Sequence, residues 1–200
     1  KSEILCIIIY IKNRGDWIMK NKTLKITLCA LFCSYGVLLP KIFHIFSSVA
    51  GTVFLPMHIP VLIAGLCLGP GSGAVVGLIS PMVSCAVTGM PSPLLLPFMI
   101  IELVSYGFFS GLISKKLPIK NKMGKMYVAL LLSQILGRTV RAAAILFSVY
   151  VLSSNTMPIA FIWTAVMTGI PGIIIQWIFV PILSVAILKF LRNINVKEPV

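Results

Sequence analysis

The sequence predicts an all-α integral membrane protein, folded as a single bundle of six transmembrane helices with both termini in the cytoplasm. Composition is the first reason for this prediction. Of the 200 residues, 58% are hydrophobic and only 10% are charged, and the mean hydropathy is +1.05. A soluble domain of this length cannot bury so much apolar surface, so lipid must cover part of it. The other two reasons are the spacing of the apolar segments and the positions of the basic residues.

The apolar residues fall into six segments. Each should be a helix, because lipid tolerates only a backbone whose hydrogen bonds are satisfied internally, and no alternating barrel pattern is visible. The second and third segments are shorter than the roughly 20 residues that a full span needs, so we expect neighbouring helices to shield their ends. The sequence GPGSG joins these two segments and predicts a tight helical hairpin. The segments cover about residues 24–40, 56–69, 72–88, 94–114, 126–152 and 158–190.

The basic residues indicate the orientation of the chain. Cytoplasmic loops are enriched in lysine and arginine, and three basic clusters alternate with loops that hold only Lys41 and His44. Both termini are therefore predicted to be cytoplasmic, and the net charge of +13 indicates topology rather than nucleic-acid binding. The clusters are Lys20, Lys22 and Lys25; Lys115, Lys116, Lys120, Lys122 and Lys125; and Lys189, Arg192 and Lys197.

The first 18 residues differ from the rest. Residues 1–18 hold a short apolar core with charges on both sides, whereas Met19 is followed by lysines and a long apolar segment. We therefore expect residues 1–18 to be a non-native leader or upstream read-through, and residues 19–200 to form the single six-helix membrane domain.

A few ionisable residues lie inside the apolar segments. Glu102 is the one acidic residue between Asp16 and Glu198, and Arg138 and Arg141 lie in the fifth segment. The two arginines are three residues apart and share a helix face, which Gln134 joins from one turn earlier. An ionisable group inside the membrane is costly and is by default a candidate for function.

Two interpretations of these residues remain open. In the first, Glu102 and one arginine form a buried pair that fixes helix packing, while the other arginine reaches an interface. In the second, the arginine face lines a ligand pocket, and its surplus positive charge meets an anionic or strongly polar group. The planar guanidinium suits a carboxylate or a phosphate.

Three further polar residues are weaker candidates for ligand binding. His58 opens the short second segment and is predicted to lie at the external rim, and Asn155 lies in an outer loop. Gln176 lies in the sixth segment. Each taken singly is more typical of a structural role than of a ligand contact.

The sequence carries no signal of catalysis or of a bound cofactor. It has no paired carboxylates, no Ser/His/Asp set, no HExxH and no GxxxxGK motif. Its five cysteines form no CxxC, and none has a histidine at zinc-ligand spacing. We therefore expect neither an enzyme nor a cofactor or metal site. A membrane protein with a binding pocket but no energy source needs a partner.

The string LPMHIPVLIAGLCLGPGSGAVVGLISPMVSCAVTGMPSP is the most specific part of a family resemblance. With IELVSYGFFSGLI and IPGIIIQWIFVPIL downstream, it resembles the substrate-binding S components of energy-coupling factor (ECF) transporters over about residues 20–190. The resemblance implies a six-helix bundle in the bacterial plasma membrane that captures a vitamin or vitamin precursor from outside. It also implies docking on a transmembrane coupling subunit and two cytoplasmic ATPases.

The family docks through a small-xxx-small pattern, usually Ala-xxx-Ala, on its first helix. Ala30 and Ser34 are the corresponding residues here. Small residues let helices approach closely, although serine departs from the usual alanine, and ordinary packing within the chain is the alternative.

The expected ligand site combines the polar residues above with apolar walls such as Phe98, Tyr106 and Trp163. The surplus arginine charge favours an acidic ligand, such as pantothenate or a phosphorylated ribazole precursor of cobalamin. A neutral heteroaromatic such as dimethylbenzimidazole, with Glu102 accepting a ring N–H, remains open. So does a different class, a stand-alone membrane assembly or chaperone-like protein without a transport role.

Overall fold

The structure of the chain, a computed structural model, describes residues 22–46, 53–119, 121–150, 163–164 and 167–196. Within these ranges the regular structure is helical throughout, and six helices are found. They are α1 (Lys22–Phe46), α2 (His58–Leu68), α3 (Pro70–Thr88), α4 (Leu96–Lys116), α5 (Lys122–Tyr150) and α6 (Ile170–Val196). In these ranges, five helices are long and apolar enough to cross a membrane, and α2 is a shorter apolar helix. The prediction of an all-α, multi-pass membrane protein with six helices is confirmed.

The short helix α2 lies at the centre of the bundle. It has 11 residues, and eight of them are buried, including His58 at its start and Leu68 at its end. Helices α1, α3, α4 and α6 all pack against it. Protein therefore surrounds a helix that is too short to span on its own, as its length predicted.

The hairpin between α2 and α3 is tighter than expected. The sequence predicted a loop over GPGSG, but α2 ends at Leu68 and α3 begins at Pro70, so Gly69 alone makes the turn. Gly69 has a φ of 95°, which a residue with a side chain rarely adopts. Proline is well tolerated in the first turn of a helix, where its missing N–H is not needed. Because α3 starts this early, its 19 residues are long enough to cross the membrane.

Helix α1 also differs from its predicted length. The pair Pro40-Lys41 was expected to end it, but the helix continues to Phe46 with Pro40 inside. Proline is tolerated within membrane helices when neighbouring groups satisfy the freed backbone, and Pro40 is buried against the bundle.

Helices α2, α3 and α4 touch through glycines. A Cβ atom on Gly107 of α4 would overlap the backbone of Gly73 in α3, and a Cβ on Gly73 would overlap the backbones of Gly107 and Gly65. Glycine contacts of this kind let membrane helices approach closely without any side chain between them. The three helices therefore form a backbone-packed unit, which we call the glycine seam (Gly65, Gly73, Gly107).

The pairing of residues gives the helix directions. Gly77 of α3 lies against Leu103 of α4, and Gly73 lies against Gly107 further along, so α3 runs antiparallel to α4. Helix α2 runs parallel to α4, because His58 lies near Glu102 and the later Gly65 lies near Gly107. The starts of α2 and α4 consequently lie at the same end of the bundle.

Candidate ligand-binding site

Glu102 is the centre of a buried polar network. It is the seventh residue of α4 and is 2% exposed. Its Oε2 accepts a hydrogen bond from Nη1 of Arg141 at 2.5 Å. Its Oε1 accepts a hydrogen bond from the hydroxyl of Tyr106 at 3.0 Å. Tyr106 can reach it because residues four apart lie on the same helix face.

Helix α5 supplies the arginines to this network. Nε of Arg138 donates to the hydroxyl of Tyr106 at 3.2 Å, so that the hydroxyl accepts from Arg138 and donates to Glu102. The ring of Tyr106 lies against Gly137, where any Cβ atom would overlap its Cδ1 and Cε1 atoms. The glycine before Arg138 therefore makes room for the tyrosine that connects the arginine to the carboxylate.

His58 is buried within the same network. It is 2% exposed, and its ring lies 5.3 Å from that of Tyr106 between centroids. Its Nε2 is 3.9 Å from Oε2 of Glu102, which is too long for a direct hydrogen bond. Among the described residues, neither ring nitrogen has a hydrogen-bond partner. A position at the external rim was predicted for His58; the residue is buried, because α2 is central and its neighbours cover its first residue, and the side of the membrane on which it lies stays a prediction.

A second polar group lies one turn away on α5. The side-chain Nε2 of Gln134 donates to Oε1 of Gln176 in α6 at 2.8 Å. The indole Nε1 of Trp177 donates to Oε1 of Gln134 at 2.7 Å. Gln134 and Gln176 are 5% and 1% exposed. Gln134 precedes Arg138 by four residues, so this group and the Glu102 network are adjacent on the same face of α5.

Helix α5 carries residues of both groups, offset along its axis. Gln134 lies four residues before Arg138 and seven before Arg141, which is about 6 Å and about 10 Å at ~1.5 Å per residue. The structure thus brings together Glu102, Arg138, Arg141, Gln134, His58 and Gln176. Asn155 lies outside the described residues.

Two members of the network had not been expected in their roles. Tyr106 was expected as an aromatic wall, but its hydroxyl bridges Arg138 and Glu102. Its spacing of four from Glu102 was the signal that could have shown this. Trp177 was not expected at all, and no local pattern marks it, since its partner lies on another helix.

Of the other two aromatic residues expected to line the site, one is buried and one is exposed. Phe98 is 8% exposed and packs near Ile145. Trp163 is 66% exposed, and no hydrogen bond described for the network involves it.

The Glu102 network carries a formal positive charge. Among the described residues it contains two guanidinium groups and one carboxylate, which gives +1 when His58 is counted as neutral. Both carboxylate oxygens already accept hydrogen bonds. No group of three or more His, Cys, Asp or Glu residues that could hold a metal ion occurs in the described part of the chain.

The two predicted docking residues lie elsewhere, on the outer face of α1. Ala30 and Ser34 are both exposed, and the Ser34 hydroxyl donates to the Ala30 carbonyl at 3.0 Å, within the helix.

Comparison with known proteins provides the family. The family model "ECF transporter, substrate-specific component" matches residues 24–184. Comparisons with curated proteins and with solved structures gave no significant match. The family match covers well over half of the chain, including the glycine seam and the polar network. The chain therefore belongs to the substrate-specific components of ECF transporters, which are transport subunits that bind a small molecule and associate with an energy-coupling module.

Proposed function

We propose that this substrate-specific component captures an anionic vitamin or vitamin precursor from outside the cell, of the pantothenate or phosphorylated-ribazole type. The observation that carries the proposal is the buried network in which Arg138 and Arg141 meet Glu102 and Tyr106. Among the described residues the network contains two guanidinium groups and one carboxylate, and a net positive charge in a low-dielectric site favours an anionic ligand. Each carboxylate oxygen of Glu102 can accept a second hydrogen bond, so a neutral heteroaromatic whose ring N–H donates to Glu102 is the alternative ligand.

The position of the network agrees with uptake from outside. The positive-inside rule assigns both termini and the loop between α4 and α5 to the cytoplasm. With that orientation, the starts of α2 and α4 are external, and Glu102 lies in the external half of the bundle. His58, buried beside Glu102 without a hydrogen-bond partner among the described residues, is available to a ligand or to water.

The outer face of α1 is the proposed contact with the coupling subunit. Ala30 and Ser34 are small and exposed, and they match the position of the family's small-xxx-small pattern. Replacing Ala30 by leucine should weaken co-purification with the coupling subunit and the two ATPases while leaving ligand binding intact. Ala86, exposed on α3, offers a matched control, because Ala86→Leu adds the same bulk away from α1 and should leave co-purification unchanged.

The test of the ligand is a measurement of what the purified protein carries. Mass spectrometry of small molecules released from the wild type should find one anionic species, and Arg138→Ala and Glu102→Ala should carry much less of it. Lys125→Ala, on the same helix but outside the network, removes one positive charge and should carry the wild-type amount. Unchanged retention in both network variants would refute this pocket.

Matched ligand pairs sharpen the test of charge. Pantothenate can be compared with panthenol, in which an alcohol replaces the carboxylate, and ribazole phosphate with ribazole. The wild type should bind the charged member of one pair at least about tenfold more tightly, since charge-assisted hydrogen bonds are stronger than neutral ones. Arg138→Ala should reduce this preference. Equal preference in the wild type and in the variant would contradict the role of Arg138.

A further inference from the structure

We infer that Trp177, Gln134 and Gln176 form an oriented relay whose end is the amide NH₂ of Gln176, and that this NH₂ donates to an oxygen or unprotonated ring nitrogen of the ligand. The inference rests on the proposed function, because it assigns a specificity contact within the same site. The arginines are proposed to bind the charged group of the ligand, and Gln176 adds a contact to an uncharged acceptor atom of the same ligand.

The first step is the direction of the Trp177 bond. An indole N–H can only donate, so the side-chain atom of Gln134 that lies 2.7 Å away must be the carbonyl oxygen. The orientation of the Gln134 amide, which is otherwise ambiguous by 180°, is fixed by this contact.

The second step passes this orientation to Gln176. With its oxygen turned to Trp177, Gln134 presents its NH₂ to Gln176, and the atom 2.8 Å away must be the carbonyl oxygen of Gln176. The NH₂ of Gln176 is then left at the end of the relay. Gln176 is 1% exposed, and this nitrogen has no hydrogen-bond partner among the described residues.

The third step concerns what this nitrogen recognises. A buried amide NH₂ without a partner is costly, and a ligand that supplies an acceptor satisfies it. Gln176 contacts Gln134, which lies one turn before Arg138 on the same face of α5, so one small molecule can reach both Gln176 and Arg138. The relay cannot turn without breaking its bond to Gln134, so the site selects acceptor groups and discriminates against amines and amide N–H groups. Gln134 and Trp177 act as positioning residues and Gln176 as the contact.

The relay is tested in the ligand-free protein by nuclear magnetic resonance of the ¹⁵N-labelled indole groups. The Trp177 signal is identified by its loss in Trp177→Phe. Gln134→Met should shift it upfield, because its acceptor is removed, whereas Gln176→Met should leave it in place. If the chemical shift of the Trp177 indole is the same in Gln134→Met as in the wild type, the relay is overturned, and this result does not depend on the identity of the ligand.

The contact is tested by affinity for the small molecule that the wild type carries, with pantothenate and ribazole phosphate as defined probes. Gln176→Met should weaken binding about tenfold, because it removes a neutral hydrogen bond to the ligand. Trp177→Phe should weaken binding about threefold, because it removes the bond that orients Gln134 and, through it, Gln176. Tyr127→Phe removes a polar hydrogen from an exposed ring near the other end of α5 and should have no effect. Wild-type affinity in both Gln176→Met and Trp177→Phe overturns the contact. If the wild type carries no small molecule and binds neither probe, the proposed function and the ligand contact of Gln176 are both overturned. The shift of the Trp177 indole signal tests the relay independently of that result.

Discussion

The two sides of helix α4 are built in opposite ways. On one side, the glycine seam brings α2, α3 and α4 into backbone contact. On the other side, the polar side chains of Glu102, Tyr106, Arg138 and Arg141 form the hydrogen bonds that connect α4 to α5. The first side leaves no space for a molecule between its helices, and the second keeps polar groups between them.

The difference shows how a small membrane bundle combines rigidity with a binding site. Lipid gives little hydrophobic drive to helix association, so close backbone packing and internal hydrogen bonds must hold the helices together. The glycine seam uses the first of these, and the polar network uses the second. Because side chains can change rotamer more easily than backbones can separate, we expect a ligand to be accommodated on the polar side while the seam holds its shape.

The largest effect should come from a methyl group in the seam. In Gly107→Ala the new Cβ would overlap the backbone of Gly73, and backbone cannot move aside as a side chain can. We expect the folded protein to lose roughly 3 kcal/mol, the upper end of the range for overpacking. The midpoint of unfolding during titration with a denaturing detergent measures this loss.

Gly71→Ala is the matched control for that variant. Gly71 lies on α3, two residues before Gly73 of the seam, but a Cβ there meets nothing within 4 Å, so stability should stay the same or rise slightly. If both alanine variants unfold at the same detergent concentration, the glycine seam does not hold these helices together.

A smaller effect is expected from changing charge on the polar side. Glu102→Gln keeps the size of the side chain but replaces the carboxylate that binds Arg141 by a neutral amide. We expect a loss of about 2 kcal/mol in stability, within the range for hydrogen bonds to charged groups, and a larger net positive charge at the site. An anionic ligand should partly restore the midpoint of unfolding, because binding stabilises the folded state.

Gly71→Ala serves again as the reference for that measurement, since its site is remote from the network. A Glu102→Gln protein as stable as the wild type would mean that the carboxylate contributes nothing to holding α4 on α5.

The charged residues of the polar side could be predicted from the sequence. Glu102, Arg138 and Arg141 stand out because a charge in an apolar segment has few physical explanations, and spacing places Gln134 on the arginine face. The burial of His58 could not be predicted, because it depends on α2 lying at the centre of the bundle.

Contacts between helices were harder still to predict. The bond from Trp177 to Gln134 depends on where α5 and α6 cross, and one sequence carries no record of that. The continuation of α1 through Pro40 has a similar cause, because local propensity predicts a stop and only the surrounding helices allow the chain to continue.

The smallest effect, and the finest test of the comparison, is the loss of one hydroxyl. Tyr106→Phe keeps the ring against Gly137, so packing is preserved on both sides of α4. It removes the hydroxyl that donates to Glu102 and accepts from Arg138. We expect a loss of about 1.5 kcal/mol in stability, the lower end of the range for hydrogen bonds to charged groups, because Glu102 keeps its bond from Arg141, together with a fewfold weaker affinity for the carried molecule. Tyr127→Phe, at an exposed ring, should change neither quantity.

If Tyr106→Phe lowers stability but leaves affinity untouched, the hydroxyl belongs to the framework that holds α4 on α5. If it lowers affinity as well, the bridge between Arg138 and Glu102 also sets the arrangement of charge that the ligand meets.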